Sequence, residues 1–431
     1  MMKVVKPSLG SAWQAAAQLS ARWLDRRERV DVILESVPPS LGPADRGRCQ
    51  HLFYGLVRNF GRIEAILGRL VAHPPRFITR AVLYTAVFEL IEAQGAGAAA
   101  GDEAKIVHHA VEMAKELASA AEARLVNAVA RKAAAAVAAQ RPPAAIAPAE
   151  ALADYYSHPE WLVRRWLPAF GAASTRALLE WNQAPAPVYA RWRAREAAPP
   201  VWLQPTRWPG FFQVPSGHWK EMLALVESGA AYLQDPATRL CVELLAPKAG
   251  EEVLDLCAAP GGKSLLAADA MGAGRIVSVD VPDGQIERLK ENLSRLGGVQ
   301  AALVQGDVRE GLAKVLSEHR LPTHYPAVLI DVPCSNTGVM RHRIDVKWRL
   351  QEADFAKHGR QQGVLLSSAS RLVSPGGRLV YSTCSIDAAE NEDVVKAFLS
   401  RAHGFELERS VVALPWVDGH DGAAAFLFRR T

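Results

Sequence analysis

Hydrophobic and polar positions follow one period in the first third of this chain and a different one from about residue 230 onward. Between about residues 10 and 140, apolar residues recur at the three- and four-residue spacing of a single helical face. The clearest run is Ile106, Ala110, Met113, Ala114 and Leu117. Few stretches here alternate β-branched and polar residues, so the pattern predicts a helical bundle.

From about residue 230, short apolar strands alternate with helical segments. The predicted strands are EVLDLC (252–257), RIVSVD (275–280), AALVQGD (301–307), AVLIDVP (327–333), GRLVYSTC (377–384), FELERS (405–410) and AAAFLFRR (423–430). Alternation of this kind predicts an α/β fold, an open, doubly wound sheet with helices on both faces.

The segment between these two parts has a composition of its own. RPPAAIAPAEA, from residue 141, is typical of a linker. Residues 155–220 interleave tryptophans with arginines, a mixture that suits stacking on unpaired bases and pairing with phosphates, although large aromatics are more often simply buried. The strand-like VYARWR (188–193) predicts a small α+β module. We therefore divide the chain into a helical domain (1–140), a linker with a small RNA-binding α+β module (141–229) and an α/β domain (230–431).

Composition narrows the class of protein without deciding it. The chain has 431 residues, 49% hydrophobic and 22% charged, which indicates folded domains. A net charge of +5 permits an anionic partner without requiring one. No stretch approaches the ~18 apolar residues that span a bilayer, and the N-terminus lacks the apolar run of a secretory signal. We therefore expect no membrane association.

The cysteines are five in number and show no C-x-x-C spacing: Cys49, Cys241, Cys257, Cys334 and Cys384. An odd number without that spacing argues against a disulfide framework and against a zinc site, so we expect no metal. Free thiols are typical of a reducing compartment, which predicts a cytoplasmic protein. No apolar face is left unexplained, and we expect a monomer.

A glycine turn follows the first strand of the α/β part. The run from Asp255 to Ser264, DLCAAPGGKS, stands directly before a predicted helix, where glycines let the backbone approach a ligand and the helix N-terminus offers free N–H groups. A Walker A loop would need glycine where Cys257 stands, and the dinucleotide pattern G-x-G-x-x-G is absent. The turn therefore predicts a nucleoside ligand without a pyrophosphate.

Three acids stand at the ends of three successive predicted strands. Asp255 ends the first, Asp280 the second, 25 residues later, and Asp307 the third. The second acid is placed to accept hydrogen bonds from ribose hydroxyls, and the third suits an adenine amino group. Any one of them is also explained as a strand-end cap. Together with the glycine turn they favour S-adenosylmethionine as the ligand.

Two cysteines follow two neighbouring strands of the predicted sheet. Cys334 comes after the fourth strand, three residues beyond Asp331, and Cys384 ends the fifth. A single cysteine is usually a buried structural residue. Two at equivalent strand ends, on the edge that carries the glycine turn, indicate chemistry instead.

The chemistry that needs such a thiol is methylation of carbon 5 of cytosine. Addition of a thiolate to carbon 6 makes carbon 5 nucleophilic, and after methyl transfer a base must remove the proton from carbon 5 so that the thiolate leaves. Asp331 is placed to hydrogen-bond the ring or its exocyclic amine as charge develops. The basic loop Met340–Arg349 is either a contact for phosphates and bases or a solvated charged loop. The target base would have to leave its stack.

These motifs resemble the bacterial 16S ribosomal RNA cytosine-5 methyltransferases of the RsmB (Sun or Fmu) type, within the wider NSUN group. The matching runs are DLCAAPGGKS (255–264), DVPCSNTGV (331–339), DVKW (345–348) and YSTCSIDAAENEDVV (381–395). Upstream runs resemble the family's NusB-like RNA-binding domain, its connecting segment and the entry to its catalytic domain: FYGLVRNFGRIEAIL (53–67), RLVNAVARK (124–132), YYSHPEWLVRRWLPAFG (155–171) and AAYLQDPATRL (230–240).

The resemblance implies a Rossmann-like, seven-stranded S-adenosylmethionine-dependent methyltransferase domain, preceded by an all-α NusB-like domain and a small α+β module, acting on 16S ribosomal RNA. It implies that Cys384 is the nucleophile and that Cys334 assists product release. It also implies a set of cofactor contacts: Cys257, Ala258, Ala259, Pro260, Gly261, Gly262, Lys263, Asp280, Asp307 and Asp331.

The chain departs from the family's pattern at three places, one of which is the run of unusually small residues GAGAAAG (95–101). The loop after Val339 lacks the proline of the usual Arg-His-Pro-Asp run, and the C-terminal region reads DGHDGAAAF where the family commonly has Asp-Gly-Phe-Phe. These differences leave open which cytosine is modified, and whether free RNA or an assembling subunit is the substrate. The alternatives are a non-catalytic RNA-binding factor, a small-molecule methyltransferase and a cytosine-5 methyltransferase of another RNA.

Overall fold

The computed structural model describes residues 9–97 and 101–431. Residues 1–8, part of the N-terminus in which no secretory signal was found, lie outside the described residues. The chain divides into two compact units. The helical unit comprises the residues up to Ala184 together with Arg343–Leu350, and the α/β unit comprises Pro185–His342 and Gln351–Thr431. None of the helices in the described ranges combines the length and apolar composition needed to cross a bilayer.

The described part of the helical unit confirms the predicted bundle. Its first helices are α1 (Leu9–Arg26), α2 (Val30–Leu34), α3 (Pro43–Leu67), α4 (Phe77–Gly95), α5 (Asp102–Leu117), α6 (Ala120–Ala139), α7 (Ala149–Tyr156), α8 (Glu160–Phe170) and α9 (Ala172–Gln183). Proline at the first position starts α3, and the Ser119 hydroxyl caps α6 by accepting the Glu122 N–H. α4 is buried on nearly all sides because the other helices surround it.

A four-stranded antiparallel sheet opens the α/β unit. Its strands are β1 (Val188–Trp192), β2 (Gln204–Pro205), β3 (Phe211–Val214) and β4 (Ala231–Leu233), in the order β2-β3-β1-β4, with helix α10 (Trp219–Glu227) before β4. The strand expected at VYARWR is confirmed. Arg191 and Arg193 on or beside it bind the Asp269 carboxylate at 2.6 and 2.7 Å, so these two arginines serve the fold and are not available to phosphates.

A seven-stranded sheet forms the centre of the α/β unit, with strand order β10-β11-β9-β8-β5-β6-β7. Its strands are β5 (Glu252–Leu256), β6 (Gly274–Asp280), β7 (Val299–Gln305), β8 (Tyr325–Asp331), β9 (Val373–Thr383), β10 (Phe405–Ala413) and β11 (Ala423–Arg430). The strands from β7 through β5 to β9 are parallel, and β11 pairs antiparallel with both β9 and β10. The seven predicted strands are therefore confirmed, with ends shifted by a few residues.

Helices cover both faces of this sheet, as predicted. The remaining helices are α11 (Arg239–Leu245), α12 (Gly262–Met271), α13 (Ile286–Ser294), α14 (Leu312–Glu318), α15 (Val346–Arg349, in the helical unit), α16 (Glu352–Ser370), α17 (Glu392–Leu399) and α18 (Pro415–Asp418). Val253 packs with α11 and α12 on one face, whereas its neighbour Leu254 packs with α14 and α16 on the other. The chain order reverses between β5 and β8, and ligands of such sheets bind at that point.

The segment Arg343–Leu350 differs from its prediction. Lys347 is only 1% exposed, and its Nζ donates to the Arg58 carbonyl oxygen at 3.1 Å. Trp348 donates through Nε1 to the Val57 carbonyl at 2.8 Å and packs edge-on against Phe60. The interpretation of Lys347 and Trp348 as contacts for phosphate and base is therefore wrong. Both side chains complete the interior of the helical unit.

Trp348→Ala should lower the free energy of unfolding by about 3 kcal/mol, because it removes a large ring from the helical core and leaves a carbonyl without its donor. Urea titration measures this loss. Trp219→Ala is the matched control: Trp219 is 51% exposed, so its loss should change stability by less than about 0.5 kcal/mol. Unchanged stability of Trp348→Ala together with weaker RNA binding would restore the original interpretation.

Candidate active site

Two cavities adjoin at the carboxyl ends of the central strands. The cysteine cavity, of about 380 Å³, is lined by Cys384, Ser382 and Asp421 among others. The loop cavity, of about 650 Å³, is lined by Tyr232 and by most of the glycine turn. Residues that line both cavities mark their junction: Asp235, Thr238, Lys263 and Asp331.

The two cysteines lie side by side. Cys334 follows β8 and Cys384 follows β9, and because these strands are parallel neighbours their ends reach the same edge of the sheet. The two Sγ atoms are 3.2 Å apart, and the Cys384 Sγ also lies 3.2 Å from Asn336 Oδ1. The hydrogen bond with Cys384, together with burial, raises the pKa of Cys334 well above its ordinary value. Cys334 is therefore a neutral thiol in contact with the more exposed Cys384.

A buried carboxylate holds both cysteine-bearing loops. Glu390 is fully buried and accepts hydrogen bonds from the Ser335 N–H at 2.8 Å and the Ser385 hydroxyl at 2.6 Å. It also accepts from the Ser335 hydroxyl and, at 3.2 Å, from Gln362 Nε2. Ser335 and Ser385 directly follow the two cysteines, so one carboxylate sets the spacing of the thiols. Sequence reasoning missed this group, although Glu390 lies within the motif at 381–395.

The two loops also touch through backbone. The Gly338 N–H donates to the Cys384 carbonyl oxygen at 2.9 Å, and the Gly422 N–H donates to the Gly338 carbonyl at 2.8 Å. A Cβ atom on Gly338 would stand 2.7 Å from both the Cys384 and the Gly422 carbonyl oxygens. Only glycine permits this approach, which fixes the backbone that carries Cys384.

Lys263 and Asp331 form an ion pair at the junction of the cavities. Lys263 Nζ lies 2.5 Å from Asp331 Oδ2, and the Ser382 hydroxyl donates to Asp331 Oδ1 at 2.7 Å. Burial lowers the pKa of Lys263, but the Asp331 carboxylate outweighs that effect and leaves the pKa above its ordinary value. The ammonium group is therefore charged, and both members of the pair face the space beside Cys384.

The glycine turn has a backbone shaped for a ligand. Cys257 and Gly261 have φ values of +57° and +104°, and α12 begins directly after them. A Cβ atom on Gly262 would stand 3.1 Å from the Tyr232 ring, where both residues line the loop cavity. The turn and the absence of a side chain at Gly262 thus keep this space open. These features fit the nucleoside predicted from the sequence.

The acids at the strand ends divide into different roles. Asp280 accepts the Ala259 N–H at 2.8 Å and the Val281 N–H at 2.7 Å, so in this structure it supports the glycine turn. Asp307 lies two residues beyond the end of β7 and is paired with Arg309. Neither lines the two cavities, and their contacts with ribose and adenine remain predictions.

Asp255 is fully buried and accepts a hydrogen bond from the Ser264 hydroxyl. Burial raises the pKa of Asp255 to about 7, against the opposing effect of that hydrogen bond. It lines the loop cavity, and its hydrogen bond with Ser264 joins the end of β5 to the first turn of α12.

Asp235 and Asp421, which line the cysteine cavity, were not predicted as site residues, and His342, which contacts Asp421, was noted only as part of the loop Met340–Arg349. The Asp235 Oδ1 atom accepts the Ala237 N–H at 2.8 Å and the Asp421 N–H at 3.2 Å. His342 Nδ1 lies 3.0 Å from Asp421 Oδ1. Asp235 stands in the run at 230–240, which resembled the entry to a catalytic domain, and that resemblance was the available signal.

The fold and this site together define a class of protein. The sheet is parallel except for its last strand, β11, which is inserted antiparallel beside β9, and a glycine turn follows β5. This is the fold of Rossmann-like S-adenosylmethionine-dependent methyltransferases. The paired thiols at the same edge indicate an acceptor that must be activated by covalent attack.

Comparison with known proteins narrows the class to a family. Residues 242–418 match the family model described as 16S rRNA methyltransferase RsmB/F, and residues 11–135 match the NusB family. The chain is 30% identical to Ribosomal RNA small subunit methyltransferase B of Erwinia tasmaniensis, over 94% of this chain and 96% of that protein. The protein of the same name from Cronobacter sakazakii is 28% identical over 91% of each chain. The chain therefore belongs to the RsmB family of methyltransferases, which use S-adenosylmethionine.

Solved structures share the fold. The crystal structure of PH0851 superposes with a TM-score of 0.75 at 22% identity and covers 97% of this chain and 99% of that one. NSun6 from Pyrococcus horikoshii, solved with SFG, gives a TM-score of 0.54 at 20% identity, covering 63% of this chain and 98% of that one. Both the NusB-like helical part and the seven-stranded methyltransferase part of the prediction are thereby confirmed.

The buried acid predicts how stability varies with pH. Because the folded-state pKa of Asp255 is raised to about 7, its protonated form stabilises the fold, and this contribution is lost as pH rises from about 4 to 7. An amide does not ionise, so the free energy of unfolding of Asp255→Asn should not fall in this way. Relative to the wild type it should rise across this window, by on the order of 4 kcal/mol at most. Urea titrations between pH 4.5 and 8 measure the difference.

Asp307→Asn is the control, because the pKa of Asp307 is shifted in the opposite direction: the hydrogen bond from Arg309 lowers it. Its difference from the wild type should be constant across the same window. A flat difference between Asp255→Asn and the wild type would contradict the assignment of the buried acid.

Proposed function

We propose that the chain transfers a methyl group from S-adenosylmethionine to carbon 5 of a cytosine in 16S ribosomal RNA, through a covalent bond between Cys384 and carbon 6 of the base. The observation that carries the proposal is the pair of thiols 3.2 Å apart, of which Cys384 lines the cavity that adjoins the loop cavity. The cofactor, when bound, supplies an electrophilic methyl group.

Cys384 is the attacking thiol in this proposal. It borders the cysteine cavity and is the more exposed of the pair, whereas Cys334 is buried. The charged Lys263 ammonium lines the same cavity as Cys384. Attack by the thiolate on carbon 6 places electron density on carbon 5, which then accepts the methyl group.

Cys334 assists departure of the nucleophile. Its raised pKa keeps the thiol protonated, so it donates a hydrogen bond to the Cys384 sulfur as that sulfur regains its negative charge. The 3.2 Å separation is within reach of such a bond. This role agrees with the one that the family resemblance implies.

Lys263 and Asp331 orient the base. A carboxylate oxygen can accept a hydrogen bond from the exocyclic amine of cytosine, and an ammonium group can donate one to the carbonyl oxygen of the ring. The pair is therefore complementary to this base. Ser382 fixes Asp331 from the other side at 2.7 Å. In this proposal the pair, which lines both cavities, fixes the pyrimidine edge beside Cys384.

The substrate and setting follow from the same features. The relatives' names specify the small-subunit ribosomal RNA, and the NusB match supports an RNA-binding role for residues 1–140. We place the further RNA contacts in residues 141–229 and the chemistry in residues 230–431. A base reaches a pocket at the strand ends only after leaving its stack. We also propose a cytoplasmic monomer that requires no metal, because the thiol supplies the nucleophile and a reducing compartment keeps it free.

The test is methyl transfer from labelled S-adenosylmethionine to small-subunit ribosomal RNA made without the modification, with mass analysis of the product nucleoside. Cys384→Ala should lose at least about a thousandfold in turnover, because no adduct forms. Cys334→Ala should accumulate a protein–RNA adduct that survives denaturation. Cys49→Ala, a buried cysteine of the helical unit, is the control and should retain turnover.

The outcomes separate the alternatives. Full turnover by Cys384→Ala would exclude the covalent mechanism. Absence of any labelled RNA from the wild type, with or without assembling subunits, would favour a non-catalytic RNA-binding factor. Equal activity on free cytidine would favour a small-molecule enzyme, and labelling of a different RNA in preference would change the substrate.

A further inference from the structure

We propose that Asp235 is the base that removes the proton from carbon 5 of the methylated cytosine. The inference rests on the proposed function, which requires such a base without naming it. Once carbon 5 has gained its methyl group, the proton it still carries must leave before the ring can expel Cys384. The base must therefore reach the same carbon that receives the methyl group, where the two cavities meet.

The carboxylates that line the cysteine cavity are Asp235, Asp331 and Asp421. Asp331 has a donor on each oxygen, Lys263 on one and Ser382 on the other, and in the proposed function it already binds the exocyclic amine of the base. Asp421 does not line the loop cavity and is paired with His342. Cys334 is a protonated thiol, which cannot accept a proton.

Asp235 has the position and the free lone pairs that the others lack. It lines both cavities. Its Oδ1 atom is fixed by the N–H groups of Ala237 and Asp421, whereas Oδ2 is buried and has no hydrogen-bond partner among the described residues. A buried acceptor without a donor is costly to the fold. Such a cost persists at functional sites, where the group is completed by the substrate or by the proton it takes up.

The surroundings of Asp235 suit this task. Burial and the neighbouring Asp421 carboxylate raise the pKa of Asp235 to about 7, with an opposing effect from His342. Other titratable or charged side chains of the described residues that interact with this pair of acids are Tyr189, Arg341 and His420. A carboxylate with a pKa near the working pH is a stronger base than an ordinary one and is still partly ionised.

The proposed step balances as follows. Carbon 5, activated by the Cys384–carbon 6 bond, takes the methyl group as the sulfonium sulfur of the donor becomes a neutral thioether. Asp235 Oδ2 then takes the proton from carbon 5, and the electrons of that C–H bond form the carbon 5–carbon 6 double bond. The carbon 6–sulfur bond breaks, Cys384 leaves as a thiolate that accepts the Cys334 hydrogen bond, and Asp235 later returns its proton to water.

The first experiment follows a single turnover of Asp235→Asn with labelled S-adenosylmethionine and unmodified small-subunit ribosomal RNA. The amide cannot accept the proton, so the methyl label should enter a denaturation-resistant protein–RNA adduct while release of 5-methylcytidine slows by about a hundredfold or more. Release at the wild-type rate would overturn the inference. If the wild type itself forms no methylated cytosine, the proposed function has failed instead, and the two failures are therefore distinguishable.

A second measurement does not depend on Asp235→Asn folding correctly. Release by the wild type should rise with pH as Asp235 ionises. Asp421→Asn removes the like charge and should move the midpoint of that rise to lower pH, whereas His342→Gln removes an opposing group and should move it to higher pH. Asp393→Asn, at an exposed ion pair of α17, is the control and should leave the midpoint in place. Midpoints that do not move in the first two variants would overturn the assignment.

Discussion

The active-site geometry depends on one buried carboxylate, that of Glu390. The two thiols are 50 residues apart in sequence, and they stand on loops that follow neighbouring parallel strands. The carboxylate accepts from the residues just after both cysteines and from Gln362 of α16. Burying an ion is costly unless its oxygens are satisfied, and here four donors satisfy them. The network therefore holds together only when both loops are in place, which gives the thiol pair a single arrangement.

Most of the architecture could be predicted from the sequence because its signals are local. Strands β5, β6, β8 and β9 contain buried apolar runs, and each ends at or is directly followed by an acid or a cysteine that marks the edge of the sheet. Strand pairing then brought Cys334 and Cys384 together as expected. The third strand, whose end was placed at Asp307, stops two residues earlier because the chain turns there and Asp307 pairs with Arg309.

The rest depends on contacts between distant parts of the chain, which local patterns do not encode. Lys347 and Arg58 are 289 residues apart. The local sequence of the basic, aromatic loop Met340–Arg349 therefore does not distinguish contact with phosphates from packing in a helical core. The sequence predicted that Arg191 and Arg193 contact RNA, whereas in the structure both arginines pair with Asp269. The group of Asp235, His342 and Asp421 is drawn from three separate segments, and no spacing in the sequence joins them.

The placement of Arg343–Leu350 has a consequence for how this protein can be divided. The chain enters the helical unit a second time between β8 and β9, and it passes from one unit to the other three times in all. A shortened gene that began at residue 185 would encode the strands of the methyltransferase fold but would also encode Ile344 and Trp348 without the helices that cover them. Such a product would carry an apolar patch in the connection that joins its two cysteine-bearing strands. The helical unit therefore cannot be removed without exposing the segment Arg343–Leu350. This disfavours loss of the helical unit during evolution of this chain.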